Sequence, residues 1–204
     1  MFREHLGTLI KRELGLTICG EADNIRDAMQ LIQELKPDVA IVDITLRGSS
    51  GLELLKDIKA LDIPINILVL SMHDEDLYAE RALRAGAKGY ISKNEASKEV
   101  VAAIRAVMSG EVYVSRTMNV KLLARMTQKR SQGQLAGLEL LADRELEVFQ
   151  MLGKGRSTRE IADALNLGES TVETYRARIK DKLNLRSAAE LYLRAGEWVR
   201  EHGA

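Results

Sequence analysis

Three apolar runs in the first half of this 204-residue chain end in groups able to do chemistry. Asp38-Val-Ala-Ile-Val-Asp43 ends in a carboxylate, Ile65-Asn-Ile-Leu-Val-Leu-Ser71 in a hydroxyl, and Gly89-Tyr-Ile-Ser-Lys93 in an ammonium. If the runs are parallel strands, their carboxyl ends meet in one crevice. An acid, a hydroxyl and an ammonium gathered there suit a carboxylate that accepts a phosphoryl group. Asp43 would attack, Ser71 would bond a phosphoryl oxygen, and Lys93 would offset the added negative charge. Taken singly, each residue merely ends its strand; three successive strand ends favour the site.

A second set lies near the other end of the chain. Projecting residues 169–183 at helical pitch puts Val172, Tyr175, Ile179 and Leu183 on one stripe, with Ser170, Thr174, Ala177 and Asp181 opposite. The opposite face is narrow, flanked by Glu173, Arg176 and Lys180 on one side and Arg178 on the other, and such a helix fits a DNA major groove. Thr174 and Ala177 could touch thymine methyls, Arg178 could reach guanine, and Arg176 and Lys180 would hold phosphates. Ser157 and Thr158, opening the preceding helix, offer two hydroxyls and backbone N–H groups to another phosphate. A solvated basic helix face explains the spacing equally well.

Elements must position both sets. Phe2, Leu6, Leu9, Ile10 and Leu14 share one helical face, so the chain opens in a helix. A strand over 16–22, a helix over 25–35, strands over 38–44, 65–70 and 89–92, and helices near 51–61, 75–85 and 97–109 complete an alternation. Alternating β and α at this pace predicts a parallel sheet with helices on both faces. Further on, 139–152 reads as an amphipathic helix and Ser157-Thr-Arg-Glu160 as a capping box. The short turn at Asn166-Leu-Gly168 before the helix at 169–183, which either Gly168 or Ser170 could cap, marks a helix-turn-helix. Ser187-Ala-Ala-Glu190 opens a last helix.

Charge divides the chain in the same place. Lys and Arg number 30 and so do Asp and Glu, but residues 1–115 hold 14 basic and 18 acidic groups, 116–137 hold five basic and no acidic, and 138–204 hold 11 and 12. The basic segment ends in Ser131-Gln-Gly-Gln-Leu-Ala-Gly137, a polar run of linker type. Domains are therefore expected at 1–115 and 138–204, joined by a linker at 116–137. Zero net charge argues against indiscriminate nucleic-acid binding, and a lone Cys19 excludes an internal disulfide and cysteine-rich zinc sites. With no signal-peptide core and no apolar run of membrane length, a soluble cytoplasmic protein is expected.

Asp38-Val-Ala-Ile-Val-Asp43-Ile-Thr-Leu, Gly51-Leu-Glu-Leu-Leu, Leu70-Ser-Met-His-Asp and Ala85-Gly-Ala-Lys-Gly-Tyr-Ile-Ser-Lys93 closely resemble the receiver domain of two-component response regulators. The likeness covers about residues 1–115. It implies a doubly wound, flavodoxin-like α/β fold with Asp43 as phosphoacceptor, Ser71 as switch hydroxyl, Lys93 as phosphoryl partner and Tyr90 as the aromatic that reports the phosphorylated state. On composition alone, Tyr90 would simply pack at the sheet edge. In the family a first strand precedes the opening helix and ends in adjacent acids that hold Mg²⁺; neither is found here. A divalent ion would keep Asp43 and the Thr45 carbonyl, too few oxygens for Mg²⁺. The sheet would lose a central strand and leave two neighbours unpaired. Either Met1 is internal to a longer protein, or the receiver is natively degenerate and works without phosphate. The acids Asp74, Glu75 and Asp76 are better explained as a first helical turn.

Leu141-Ala-Asp-Arg-Glu145, Ser157-Thr-Arg-Glu-Ile-Ala162, Ser170-Thr-Val-Glu-Thr-Tyr-Arg176 and Lys182-Leu-Asn-Leu185 resemble the LuxR-type DNA-binding domain. That likeness makes Ser157, Thr158, Ser170, Thr171, Glu173, Thr174, Arg176, Ala177, Arg178 and Lys180 the DNA-facing set. Gly168 stands where a capping Ser is usual and Glu173 where Lys is frequent; Glu173 could cap its helix or accept from cytosine. The two likenesses together imply a transcription factor of the NarL/FixJ/LuxR class. It would be phosphorylated at Asp43 by a sensor histidine kinase and would bind two DNA half-sites as a homodimer through the helix at 187–201, where Trp198 could equally be core. A phosphate-independent regulator is the alternative. An Asp43-nucleophile phosphatase is less favoured, because the position for a second carboxylate is Thr45. An interaction module without DNA contact would leave the basic helix face unexplained.

Overall fold

The β-branched and leucine-rich runs do form strands, and the helices between them carry the chain back across the sheet. In the computed structural model, which describes residues 2–46, 49–72, 75–127 and 137–202, the first unit contains α1 (Phe2–Arg12), α2 (Ile25–Leu35), β1 (Val39–Asp43), β2 (Thr45–Leu46), β3 (Ser49–Ser50), α3 (Gly51–Ala60), β4 (Asn66–Ser71), α4 (Glu75–Ala85), β5 (Gly89–Ser92), α5 (Ala96–Met108) and α6 (Arg116–Thr127). β1, β4 and β5 make a parallel sheet in that order. Central β4 is buried from Ile67 to Ser71, as a strand covered on both faces must be. On one face Leu68, Leu70 and Ile91 pack with Ile10 of α1 and Val100, Ile104 and Val107 of α5. Leu52, Leu55 and Ile58 of α3 and Tyr78, Ala79 and Ala82 of α4 are also buried.

The strand expected at 16–22 is not formed. Leu16 and Ile18 are half-buried against the α1–α5 core, but the segment pairs with no described strand. A strand needs a hydrogen-bonded neighbour, and β1 bonds only β4 among the described residues. Between residues 16–22 and β1 lies a trough of about 740 Å³, lined by Leu6, Ile10, Leu31, Ile32, Leu35 and Ile41 among others. The open edge explains why β1 is only half-buried at Val39, Ala40 and Ile41, unlike β4.

Residues 116–127, read from the sequence as the start of the linker, form α6 within the first unit, which extends to Thr127. The helix is anchored at its start. The Ser115 N–H and Oγ donate to the two Glu75 carboxylate oxygens at 3.0 and 2.6 Å, and Ser115 Oγ accepts the Met118 N–H at 3.0 Å. Glu75 is thus the partner of α6's cap, while Asp74 lies outside the described residues. Removing a helix cap costs typically about 1 kcal/mol, and leaving a carboxylate without its donors adds to that. Ser115→Ala should therefore lower stability by about 1–2 kcal/mol, measured as a reduced urea midpoint for the first unit. An unchanged midpoint would show that Ser115 does not hold α6. The linker-type residues 128–136, with Lys129 and Arg130, lie outside the described residues.

The second unit holds α7 (Asp143–Gly153), α8 (Thr158–Leu165), α9 (Glu169–Leu183) and α10 (Ala188–His202). The helix expected over 139–152 begins at Asp143. Leu138–Leu140 make a 3₁₀ turn instead, and Ala142 is extended, its N–H donating to Glu145 Oε2 at 2.7 Å. Asn166 closes α8 in the left-handed conformation at φ 53°, and extended Gly168 starts α9, giving the tight turn that the sequence announced. Ser187 caps α10 by accepting the Glu190 N–H at 3.1 Å. A Cβ on Gly153 would stand 2.3 Å from the Ala195 carbonyl oxygen, so a glycine lets α7 and α10 meet closely. Trp198 is core, its ring 6.4 Å from that of Phe149. Among the described residues no helix is long and apolar enough to cross a membrane.

Candidate functional site

Strand register brings the first set together. Asp43 of β1 is level with Leu70 of β4, one residue before Ser71, and the Lys93 N–H donates to the Ser71 carbonyl at 2.9 Å. Asp43 and Lys93 therefore flank Ser71 from the two neighbouring strands. Two strand spacings, about 10 Å, separate their backbones, a gap that the lysine side chain spans to form an ion pair with Asp43 Oδ2. The other carboxylate oxygen, Oδ1, accepts the Thr45 N–H at 3.1 Å. Ser71 and Tyr90 are fully buried, whereas Asp43 keeps about 30% of its side-chain exposure and can be reached from solution.

Gly51 opens one of the receiver-like segments of the sequence, which by itself gave it no role beside the Asp43 backbone. Gly51 starts α3, and its N–H donates to the Ile44 carbonyl at 2.6 Å. A Cβ there would lie 2.0 Å from the Asp43 carbonyl oxygen and 2.9 Å from its carbon. Its place eight residues after the acid in the sequence was the available signal. Behind β5, Tyr113 forms a bridge with Gly89, accepting the Tyr90 N–H at 2.8 Å and donating to the Lys88 carbonyl at 2.9 Å. The Tyr113 hydroxyl, held up in pKa mainly by burial and then by its bond to Glu99, stays protonated and donates.

Mg²⁺ asks for a near-octahedral set of oxygens. Here both Asp43 oxygens already have partners, and no group of three or more His, Cys, Asp or Glu side chains gathers around a common point among the described residues. Asp43 and the Thr45 carbonyl do not by themselves make a Mg²⁺ site.

In the second unit α9 is built as its stripe predicts. Val172 and Ile179 are fully buried, and Ser170, Thr171, Thr174, Ala177 and Arg178 are exposed together on the helix. The Thr174 hydroxyl donates to the Ser170 carbonyl at 2.9 Å, which leaves its methyl as the group for contact. Arg178 and Lys180 make no side-chain bond with any described residue, so both charges are available. Arg176, expected on a phosphate, is bonded to residues of its own domain. Its Nη1 donates to Glu173 Oε1 at 2.6 Å and Thr158 Oγ1 at 2.8 Å, and its guanidinium lies 5.2 Å from the centre of the Tyr192 ring. Glu145 Oε2 also joins α7 to α9 through Lys182 at 2.6 Å, linking two motifs that the sequence shows far apart.

The α8 start is already occupied by a carboxylate. Ser157 Oγ accepts the Glu160 N–H at 3.3 Å, while Glu160 Oε2 accepts the Ser157 N–H and hydroxyl, each at 2.9 Å. The Ser157 N–H first, then its hydroxyl and the Arg156 guanidinium, hold Glu160 below the ordinary carboxylate range. A lowered folded-state pKa means that this contribution to stability is complete above the unfolded value and is lost as pH falls through the folded one. The box is therefore intact at neutral pH. Ser157→Ala should raise the Glu160 midpoint toward ordinary values in an NMR titration of its carboxyl carbon; an unmoved midpoint would contradict the box.

Residues 1–105 match the family model of the response regulator receiver domain, and residues 139–195 that of the bacterial regulatory proteins of the luxR family. A putative transcriptional regulator of Pseudomonas aeruginosa is 38% identical over 177 residues, 87% of this chain and 84% of the relative. The response regulator GacA of the same organism is 34% identical over 181 residues, covering 89% and 84% of the two chains. Among solved structures, a LuxR-family two-component response regulator from Aurantimonas sp. SI85-9A1 superposes with a TM-score of 0.57 at 32% identity, over 62% of this chain and 90% of that one.

Proposed function

Because the chain belongs to the LuxR-family response regulators, joining a receiver domain to a LuxR-type DNA-binding domain, we propose that phosphorylation of Asp43 sets how strongly α9 holds DNA. It is a DNA-binding transcriptional response regulator of a two-component system. The observation that carries the Asp43 reading is the Asp43–Lys93 ion pair beside buried Ser71. An Asp43 carboxylate oxygen bonds the phosphorus of a phosphoryl donor as the donor's own bond to phosphorus breaks, the donor being a phosphohistidine on a partner kinase. Lys93 then turns from the carboxylate to the new phosphoryl oxygens, and the Ser71 hydroxyl donates to one of them. The phosphoryl group carries about −2 at neutral pH where the carboxylate carried −1, and this change shifts the population of receiver conformations, with Tyr90 at β5 and the Glu75–Ser115 anchor of α6 as the elements that respond.

The chain acts by binding in the cytoplasm, rather than by turnover. Its DNA-facing set is Ser170, Thr171, Glu173, Thr174, Ala177, Arg178 and Lys180, with α10, which exposes Leu193, as the surface that pairs two copies on two half-sites. Arg178 is exposed with no partner among the described residues, so Arg178→Ala should weaken binding to a selected site by at least about tenfold and leave the thermal melt unchanged. Unaltered affinity would remove Arg178 from the interface.

A further inference from the structure

We propose that Glu173 is a specificity-determining residue of α9 that selects a cytosine, and that Thr158, Arg176 and Tyr192 position it. The proposal deepens the reading of α9 as the DNA-facing helix and rests on it. Glu173 stands one turn into α9 with about 55% of its side chain exposed. One of its carboxylate oxygens is clamped: Oε1 accepts both Thr158 Oγ1 at 2.8 Å and Arg176 Nη1 at 2.6 Å. The clamp is itself fixed, because Thr158 is the first residue of α8 and Arg176, only 15% exposed, is covered by the Tyr192 ring. Oε2 has no bond to a described residue.

An ordinary i, i+3 surface pair would leave both long side chains mobile and contribute little. Here three other residues from α8, α9 and α10 hold one carboxylate in place and leave one acceptor oxygen unused. Such preorganisation lowers the ordering cost of recognition. Chemistry then limits what that oxygen can meet. It cannot bond phosphate, nor guanine N7 or O6, nor thymine O4, all of which are acceptors. The major groove offers donors on the cytosine and adenine amino groups alone, and adenine places the N7 acceptor beside its amino group. Cytosine is the base that satisfies a single clamped carboxylate. Arg176, committed to Glu173, is accordingly a positioning residue.

The test is selection of binding sites from randomised duplex DNA by the full chain and by Glu173→Ala, Glu173→Gln and Arg176→Met. Wild-type protein should enrich one cytosine per half-site by about tenfold over the other bases. Glu173→Ala should lose the preference at that position alone, and Glu173→Gln should move it to adenine, which an amide bonds through both donor and acceptor. Arg176→Met should blur the same position with the melting temperature unchanged, a result that a merely structural role would not give. A motif identical in wild type and Glu173→Ala, or adenine preferred at that position by the wild type, overturns the proposal. No enriched motif with any protein would instead defeat the reading of α9 as the DNA-facing helix.

Discussion

Asp43→Asn should leave the chain folded and abolish its uptake of a phosphoryl group. Asparagine keeps the volume and the hydrogen bond from the Thr45 N–H, but its amide oxygen carries no full charge and is a poor nucleophile. The substitution also removes the Asp43 charge that pairs with Lys93, whose side chain is about 17% exposed. Intact mass after incubation with acetyl phosphate and Mg²⁺ reads the outcome. The wild-type chain should gain one phosphoryl group and the variant none. An adduct that persists in Asp43→Asn would place the acceptor elsewhere, and an unmodified wild type would leave Asp43 without this role.

Gly51→Ala should damage the site through the backbone, without touching any of its functional groups. Two effects oppose each other. Replacing glycine lowers the entropy of the unfolded chain and stabilises by about 0.4–1 kcal/mol where the native conformation tolerates a side chain. Against that, the new Cβ would lie 2.0 Å from the Asp43 carbonyl oxygen and 3.0 Å from Ile44 Cα, with backbone on every near side. No rotamer can yield, so the Asp43–Ile44 segment or the start of α3 must shift. Overpacking of this kind costs typically 1–3 kcal/mol and at times more. The steric effect wins, and a net loss of about 1–2 kcal/mol is expected in urea unfolding of the first unit. Phosphorylation from acetyl phosphate should slow with it, because Asp43 no longer sits level with Leu70, next to Ser71. A variant as stable and as readily phosphorylated as the wild type would refute the close approach.

The three paired strands were legible because each is a short β-branched or leucine-rich run ending in a polar residue, and the structure brings those ends together. The α9 stripe was legible for a similar reason: periodicity tells which face is core, and Val172 and Ile179 are fully buried. Periodicity failed at 16–22. Leu16 and Ile18 alternate with polar neighbours, yet whether an extended segment becomes a strand depends on a partner distant in sequence, and here none of the described residues supplies it. The start of α6 was hidden likewise, since the Ser115 bond to Glu75 spans 40 residues. Arg176 was assigned to phosphate from its charge and its place on the helix. Its contacts with Thr158 and Tyr192 were not legible, because both lie on other helices that no projection of α9 brings near.

The most direct test of the account is the affinity of the full chain for a selected DNA site, measured by fluorescence anisotropy at fixed salt with and without prior phosphorylation, beside Asp43→Asn. Coupling between two sites of one protein is typically worth about 5- to 150-fold. Phosphorylated wild type should bind at least about fivefold more tightly than unphosphorylated wild type, and Asp43→Asn should show one affinity under both treatments. Equal affinities for phosphorylated and unphosphorylated wild type would contradict control of DNA binding through Asp43.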